Sequence, residues 1–113
     1  MKMFEEITPA DLVARCRAGE LWQLLDVREP WEVAIASVEQ TVRMPTKNIP
    51  MSEIPARHTE LLESEPVAVL CHSGGRSARV AGFLVQQGYS RVANVSGGIN
   101  AWSSEVDPSI PRY

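Results

Sequence analysis

A short, wholly apolar run that ends in a cysteine and a glycine-rich loop constrains the fold more than any other feature of this sequence. Val67–Leu70 has no polar residue and no alternation, which is typical of a parallel strand covered on both faces. Cys71 follows directly, and the pair Gly74-Gly75 then allows the backbone to turn. Residues 77–87 carry apolar side chains at helical spacing. The sequence therefore predicts a strand, a loop and a helix in succession.

The rest of the chain alternates short apolar runs with helical patterns. Thr8 followed by Pro9 is a typical helix start, and Gly19 is expected to end that helix. Further strands are predicted at residues 4–7, 22–27, 42–44 and 92–95, and further helices at residues 30–36, at 55–63 and from 97 onward. Strands that alternate with helices at this spacing predict an α/β fold, with a parallel sheet covered by helices on both faces.

The length and composition of the chain predict one globular domain. At 113 residues it can bury a core without a disulfide or a structural metal, and its 44% of hydrophobic and 22% of charged residues are ordinary globular values. No repeat, linker or low-complexity segment divides it. We therefore expect a single domain over residues 1–113, with a core at about residues 4–103 and a short tail at residues 104–113.

Charge and hydropathy argue against two classes of partner. A formal net charge of −3 and the lack of a Lys/Arg-rich run argue against nucleic acid. No stretch is long enough to span a bilayer, and the sequence becomes acidic at Glu5 before a signal peptide could form. We therefore expect a cytoplasmic protein, with reduced thiols and with neither nucleic acid nor a membrane as a partner.

The two cysteines lie in different surroundings, so a disulfide between them is not the first interpretation. Cys16 shares the apolar face of the first predicted helix with Leu12, which favours a small core residue over a reactive thiol. Two cysteines and two histidines, spaced as they are here, do not indicate a zinc site, and no pattern in the sequence calls for a cofactor.

Cys71, by contrast, is placed for chemistry. Ligands of open α/β sheets bind beyond the carboxyl ends of the strands, which is where Cys71 is expected. The N–H groups of the glycine loop and the positive end of the following helix would favour the thiolate over the neutral thiol. Cys71 is therefore the candidate nucleophile. The candidate substrate-binding residues are the rest of the loop: His72, Ser73, Gly74, Gly75, Arg76 and Ser77.

Within that loop the side chains suggest different tasks. Arg76 is expected to fold over the loop toward an anionic substrate, while Ser73 and Ser77 offer hydroxyl donors. His72 could act as a general base, but a residue adjacent to the nucleophile normally points away from it, which favours a surface role.

Three motifs together resemble the family of single-domain rhodaneses. They are Leu25-Asp26-Val27-Arg28-Glu29-Pro30-Trp31-Glu32, the loop from Cys71 to Ser77, and Gly97-Gly98-Ile99-Asn100-Ala101-Trp102. The resemblance spans about residues 4–103, and three motifs in one order are specific where each alone is weak. It implies a five-stranded parallel sheet with helices on both sides, and a cysteine that accepts sulfane sulfur as a persulfide.

By that resemblance Cys71 would take sulfur from thiosulfate or a persulfide donor and pass it to cyanide or a thiol, including a protein thiol, in ping-pong covalent catalysis. Asp26 and Arg28 match a bracing ion pair below the loop. The tryptophans Trp22, Trp31 and Trp102 are expected in the core or at its rim. The sequence departs from the resemblance between Ser37 and Asn48, where substrate access is expected to differ.

Two other functions stay open. A cysteine phosphatase also uses a strand, a loop and a helix to hold an anion, but its loop has five residues between cysteine and arginine, whereas four lie between Cys71 and Arg76. The shorter ring suits a single sulfur atom better. A non-catalytic sulfur carrier or protein-docking module would keep Cys71 and turn over small donors poorly.

Overall fold

The structure is a computed structural model that describes residues 3–38 and 42–113. Within these residues the chain forms five strands: β1 (Glu5–Ile7), β2 (Gln23–Asp26), β3 (Thr46–Asn48), β4 (Val67–Leu70) and β5 (Val92–Val95). It also forms five α-helices: α1 (Pro9–Arg17), α2 (Pro30–Ile35), α3 (Ile54–Arg57), α4 (Gly75–Gln86) and α5 (Gly98–Glu105). Short 3₁₀ turns at Met51–Glu53 and His58–Glu60 flank α3.

All five strands run parallel in one sheet, in the order β1-β5-β4-β2-β3. β4 lies at the centre, where Val69 is paired with Leu25 of β2 on one side and with Asn94 of β5 on the other. The prediction of a five-stranded parallel sheet with helices is confirmed. Because β4 is central, Cys71 leaves the sheet between two neighbouring strands, at the edge where ligands bind in folds of this kind.

Two apolar cores lie on opposite faces of the sheet. α1 and α5 cover one face through Leu12 and Trp102, and α4 covers the other through Leu84. The strand β4 serves both, because Leu70 faces the first core and Val69 the second. All these side chains are at most 1% exposed. Burial of each such side chain contributes on the order of 2 kcal/mol, so the central strand is firmly held.

The helix start at Thr8 is confirmed. Its Oγ1 accepts a hydrogen bond from the backbone N–H of Asp11 at 3.1 Å, and Pro9 is the first residue of α1. Gly19 follows the helix with a φ of 101°, a conformation that glycine adopts without strain.

Three predicted elements differ from the structure. A third strand at residues 42–44 is wrong, because Val42 and Met44 pack against the core while β3 forms at Thr46–Asn48. A helix over residues 55–63 is shorter than predicted, since α3 ends at Arg57. The helix after the loop begins two residues earlier than predicted, at Gly75. Residues 39–41 of the segment that departs from the rhodanese pattern lie outside the described residues.

Among the helices that the structure describes, none is long and apolar enough to cross a membrane.

Candidate active site

The loop of residues 71–77, called the Cys71 loop below, closes around the sulfur atom of Cys71. The side chain is 1% exposed. The backbone N–H of Gly74 donates to Sγ at 3.0 Å, and the hydroxyl oxygen of Ser77 lies 3.2 Å from Sγ. Gly74 has a φ of 108°, which a residue with a side chain would adopt only with strain. α4 begins at the next residue, so its positive end faces the sulfur and favours negative charge there.

The start of α5 holds the Cys71 loop from the opposite side. The backbone N–H of Ile99 donates to the carbonyl of Cys71 at 2.9 Å, and that of Asn100 donates to the carbonyl of His72 at 3.2 Å. At Gly98 a Cβ atom would come within 2.5 Å of Cys71 O and of His72 C and O. The third motif of the sequence thus serves the site through its backbone, because only glycine permits this approach.

A buried polar chain of contacts leads from the sulfur across β5 to β1. Ser77 is 0% and Asn94 4% exposed. The Ser77 hydroxyl donates to Oδ1 of Asn94 at 2.5 Å. Nδ2 of Asn94 donates to the carboxylate of Glu6 at 3.1 and 3.2 Å and to Gly74 O at 3.3 Å. Ser77 is among the residues predicted for the site and Asn94 is not, although a polar residue within the apolar run Val92–Val95 is a signal that could have indicated it.

Arg76 is paired with a carboxylate, Glu32, that is not among the residues predicted for the site. Its Nη1 and Nη2 donate to Glu32 at 2.7 and 2.8 Å in a two-pronged ion pair. Glu32 is buried in α2 and also accepts from the backbone N–H of Glu29 and from the hydroxyl of Tyr113. The hydrogen bond from Arg76 is the main reason that the pKa of Glu32 is lowered to about 2. The charge expected to meet an anionic substrate is therefore compensated.

The ring of His72 lies flat against Tyr113, with ring centres 4.0 Å apart and an angle of 6° between the planes. Its Nε2 is buried and has no hydrogen-bond partner among the described residues. A histidine held by stacking has a packing role in place of the predicted surface role, and that His72 is not the general base stays a prediction.

The bracing pair after β2 is confirmed. Arg28 is 0% exposed, and its Nη2 and Nε lie 2.6 and 2.9 Å from the two carboxylate oxygens of Asp26. Asn48 of β3 donates to the backbone carbonyls of both residues at 2.9 Å. Arg28 also donates to the hydroxyl of Tyr113 at 3.1 Å, so the brace and the Glu32 ion pair share one neighbour.

The remaining candidates separate into buried and exposed side chains. Trp22 and Trp102 are core residues, as predicted, whereas Trp31 is 62% exposed. Cys16 is half-buried and packs against the first core, and burial is the main reason that its pKa is raised. A thiol of this kind is a poor nucleophile, in agreement with the packing role predicted for it. Within the described ranges, no group of three His, Cys, Asp or Glu side chains could hold a metal ion.

The Glu32 carboxylate predicts an acid-sensitive site. Its pKa is lowered from 4.5 to about 2 in the folded chain. The ionised carboxylate therefore stabilises the fold at pH values above its unfolded-state pKa of about 4.5. That contribution is lost as the pH falls from about 4.5 to about 2. We expect Glu32→Gln to lower the free energy of unfolding at pH 7 by about 1–3 kcal/mol. Urea unfolding at several pH values should also show a flatter dependence for the variant between pH 5 and pH 2.

The matched control for this experiment is Glu60→Gln. The pKa of Glu60 is also lowered to about 2, chiefly by Arg57, but this ion pair is exposed to solvent. Its effect should therefore disappear at high salt, whereas that of Glu32 should persist. Equal acid sensitivity of wild type and Glu32→Gln would contradict the assignment of a buried, ionised Glu32.

The amino-acid sequence is similar to a known protein family and to several of its members. The family described as "Rhodanese-like domain" matches residues 8–105. A protein of Allochromatium vinosum named "Sulfurtransferase" is 37% identical over 108 residues, which are 96% of each chain. The chloroplastic rhodanese-like/PpiC domain-containing protein 12 of Arabidopsis thaliana is 44% identical over 91 residues. That stretch is 80% of this chain, and it spans only 30% of the plant protein.

The fold is also found among solved structures. The crystal structure of a rhodanese-related protein from Thermoplasma volcanium superposes with a TM-score of 0.77 at 34% identity, over 97% of this chain and 100% of the other.

Proposed function

This chain belongs to the rhodanese-like family and shares its sulfurtransferase character, and from that premise we propose that Cys71 carries the transferred sulfur as a persulfide. The main support for the proposal is the environment of the Cys71 sulfur atom. Sγ lies at the N-terminus of α4 and accepts a hydrogen bond from the backbone N–H of Gly74 at 3.0 Å, so negative charge on this sulfur is stabilised where a sulfur nucleophile needs it.

In the first half-reaction the Cys71 thiolate attacks the outer sulfur of the donor. With thiosulfate, the new bond from Sγ forms as the sulfur–sulfur bond of thiosulfate breaks, and sulfite leaves with the bonding electrons. With a persulfide donor the leaving group is the donor's thiolate. This step needs no external oxidant or reductant, because the sulfane sulfur moves from one sulfur atom to another.

In the second half-reaction an acceptor attacks the outer sulfur of the Cys71 persulfide, and Sγ leaves as a thiolate. Cyanide leaves as thiocyanate, and a thiol leaves as a new persulfide. The Gly74 N–H stabilises Sγ at this moment, because charge returns to that atom as the bond breaks. Since Cys71 is only 1% exposed, the outer sulfur must project toward the loop mouth to be reached.

The test of this proposal is the intact mass of the protein after treatment with thiosulfate and removal of excess reagent. We expect the wild type to gain the mass of one sulfur atom, and a reductant such as dithiothreitol to remove it. Cys71→Ala should gain nothing. Cys16→Ala should gain the adduct as the wild type does, because the Cys16 thiol is half-buried and its pKa is raised by burial.

The same preparation separates an enzyme from a carrier. If thiosulfate or a small persulfide gives no reducible adduct on the wild type, the proposed function fails. An adduct that forms but passes slowly to cyanide and rapidly to a protein thiol would favour the sulfur-carrier function instead. Loss of the adduct in Cys16→Ala would move the nucleophile to Cys16.

A further inference from the structure

Asn94 is a buried polar residue for which the proposed reaction has no task. It lies in β5 between apolar neighbours and is 4% exposed. Its Nδ2 faces the Glu6 carboxylate and the carbonyl of Gly74. A carbonyl and an ionised carboxylate can accept hydrogen bonds but cannot donate them. This environment fixes the orientation of the amide, because the reverse orientation would set oxygen against oxygen. Oδ1 of Asn94 must therefore face Ser77.

The orientation of Asn94 decides what Ser77 offers to the sulfur. A hydroxyl has one hydrogen, and at 2.5 Å from Oδ1 the Ser77 hydroxyl donates it to Asn94. Toward Cys71, 3.2 Å away, Ser77 can then present only a lone pair. The contact is favourable if Cys71 is a thiol that donates its own hydrogen to Ser77, and it is unfavourable if the sulfur is negatively charged.

We propose that Asn94 is a positioning residue that competes with the sulfur of Cys71 for the single hydroxyl hydrogen of Ser77. In the sulfur-free thiol, the hydrogen bonds run from Sγ to Ser77 and from Ser77 to Asn94. When Cys71 loses its proton to solvent, the Ser77 hydroxyl turns from Oδ1 to Sγ and donates there. Asn94 thereby stabilises the protonated thiol of Cys71 in the sulfur-free protein. This inference rests on the proposed function only in taking Cys71 as the nucleophile.

The competition has a measurable size. For Ser77 to donate to the thiolate, its neutral hydrogen bond to Asn94 must break. The loss of this bond changes the ratio of thiolate to thiol about 3- to 10-fold, which moves the midpoint of a pH profile by about half a unit to one unit. Other charged or titratable groups surround the Cys71 loop, and one of them, Glu6, loses a hydrogen-bond donor in Asn94→Ala. They are Glu6 on β1, Asp26 at the end of β2, Arg28 after it, Glu32 on α2, His72 and Arg76 in the loop, and Tyr113.

The experiment measures the alkylation rate of Cys71 by iodoacetamide from pH 5 to pH 10, in the Cys16→Ala background so that one thiol reacts. We expect Asn94→Ala to lower the midpoint, because Ser77 is then free to donate to the sulfur. Ser77→Ala should raise it, because the thiolate loses that donor. The double variant should match Ser77→Ala alone, since Asn94 acts through Ser77.

Two results would overturn the inference. A higher or unchanged midpoint in Asn94→Ala would mean that Asn94 only braces the carbonyl of Gly74. A double variant that differs from Ser77→Ala by as much as Asn94→Ala differs from the wild type would show that Asn94 acts independently of Ser77. Thermal unfolding monitors the fold of each variant. If Asn94→Ala does not fold, Asn94→Leu keeps the shape of the side chain without its polar atoms and carries the same two expectations.

Alkylation needs no sulfur donor, so its outcome is separate from that of the mass measurement. If the alkylation midpoints shift as expected but the mass measurement shows no sulfur adduct, the role of Asn94 stands and the proposed function fails. An adduct with the wrong order of midpoints would do the reverse.

Discussion

Cys71→Ser is expected to lower the turnover number for sulfur transfer from thiosulfate to cyanide by at least about 10³-fold. The serine hydroxyl occupies nearly the same space and can keep both contacts of Sγ, with the N–H of Gly74 and the hydroxyl of Ser77. It ionises far less readily than a thiol and cannot form a persulfide. A steady-state assay of thiocyanate formation measures the loss, and the unfolding temperature should stay close to that of the wild type.

The control for this prediction is Cys16→Ser, which removes the other thiol and should retain turnover. Retained turnover in Cys71→Ser would place the nucleophile elsewhere. The same variants test the phosphatase alternative with an aryl phosphate. We expect negligible hydrolysis by the wild type, because the Arg76 guanidinium that a phosphatase would turn toward phosphate is held by Glu32. Hydrolysis that disappears in Cys71→Ser would overturn the assignment as a sulfurtransferase.

Gly98→Ala is expected to destabilise the protein by about 3 kcal/mol or more and to disorder the Cys71 loop. Two effects add at this position. Its φ is 60°, where an L-residue is strained, and the new Cβ would come within 2.5 Å of backbone atoms of Cys71 and His72. Backbone atoms cannot move aside as a flexible side chain would. Chemical denaturation measures the loss of stability, and the mass assay measures the loss of sulfur uptake.

Gly88→Ala is the matched control, because it separates strain from the steric clash. Gly88 has a φ of 98°, but a Cβ there would meet no described atom within 4 Å apart from those of its immediate neighbours in the chain. This variant should cost about 1 kcal/mol and leave sulfur uptake unchanged. Equal stability losses in Gly88→Ala and Gly98→Ala would show that the close approach of α5 to the Cys71 loop is not what the glycine serves.

The sequence predicts the central strand β4 better than it predicts the edge strand β3. The run Val67–Leu70 is buried on both faces, so its hydrophobicity alone marks it as a strand. β3 is an edge strand of polar residues, Thr46–Asn48, and is held by backbone pairing with β2. Hydrophobicity therefore pointed to Val42 and Met44, which are apolar because they cover the core from outside the sheet.

The candidate site divides in the same way between local and distant signals. The Cys71 loop is contiguous, so its glycines and its position after a strand could be read directly. Glu32 and Glu6 join the site only because α2 and β1 are folded against it, and neither has a neighbour in the sequence that indicates the contact. Asn94 lies between these cases, because a polar residue within a buried strand indicates a partner without naming it.

The position of β1 at the edge of the sheet has a consequence for how the site is assembled during synthesis. Among the five described strands, β1 is hydrogen-bonded only to β5, and its Glu6 contacts Asn94 across 88 residues of sequence. On a ribosome β1 emerges first but has no strand to pair with until β5 has left the exit tunnel. Closing so long a loop also slows folding. We therefore expect the contact between Asn94 and Glu6 to form late, after β4 and Cys71 have left the ribosome.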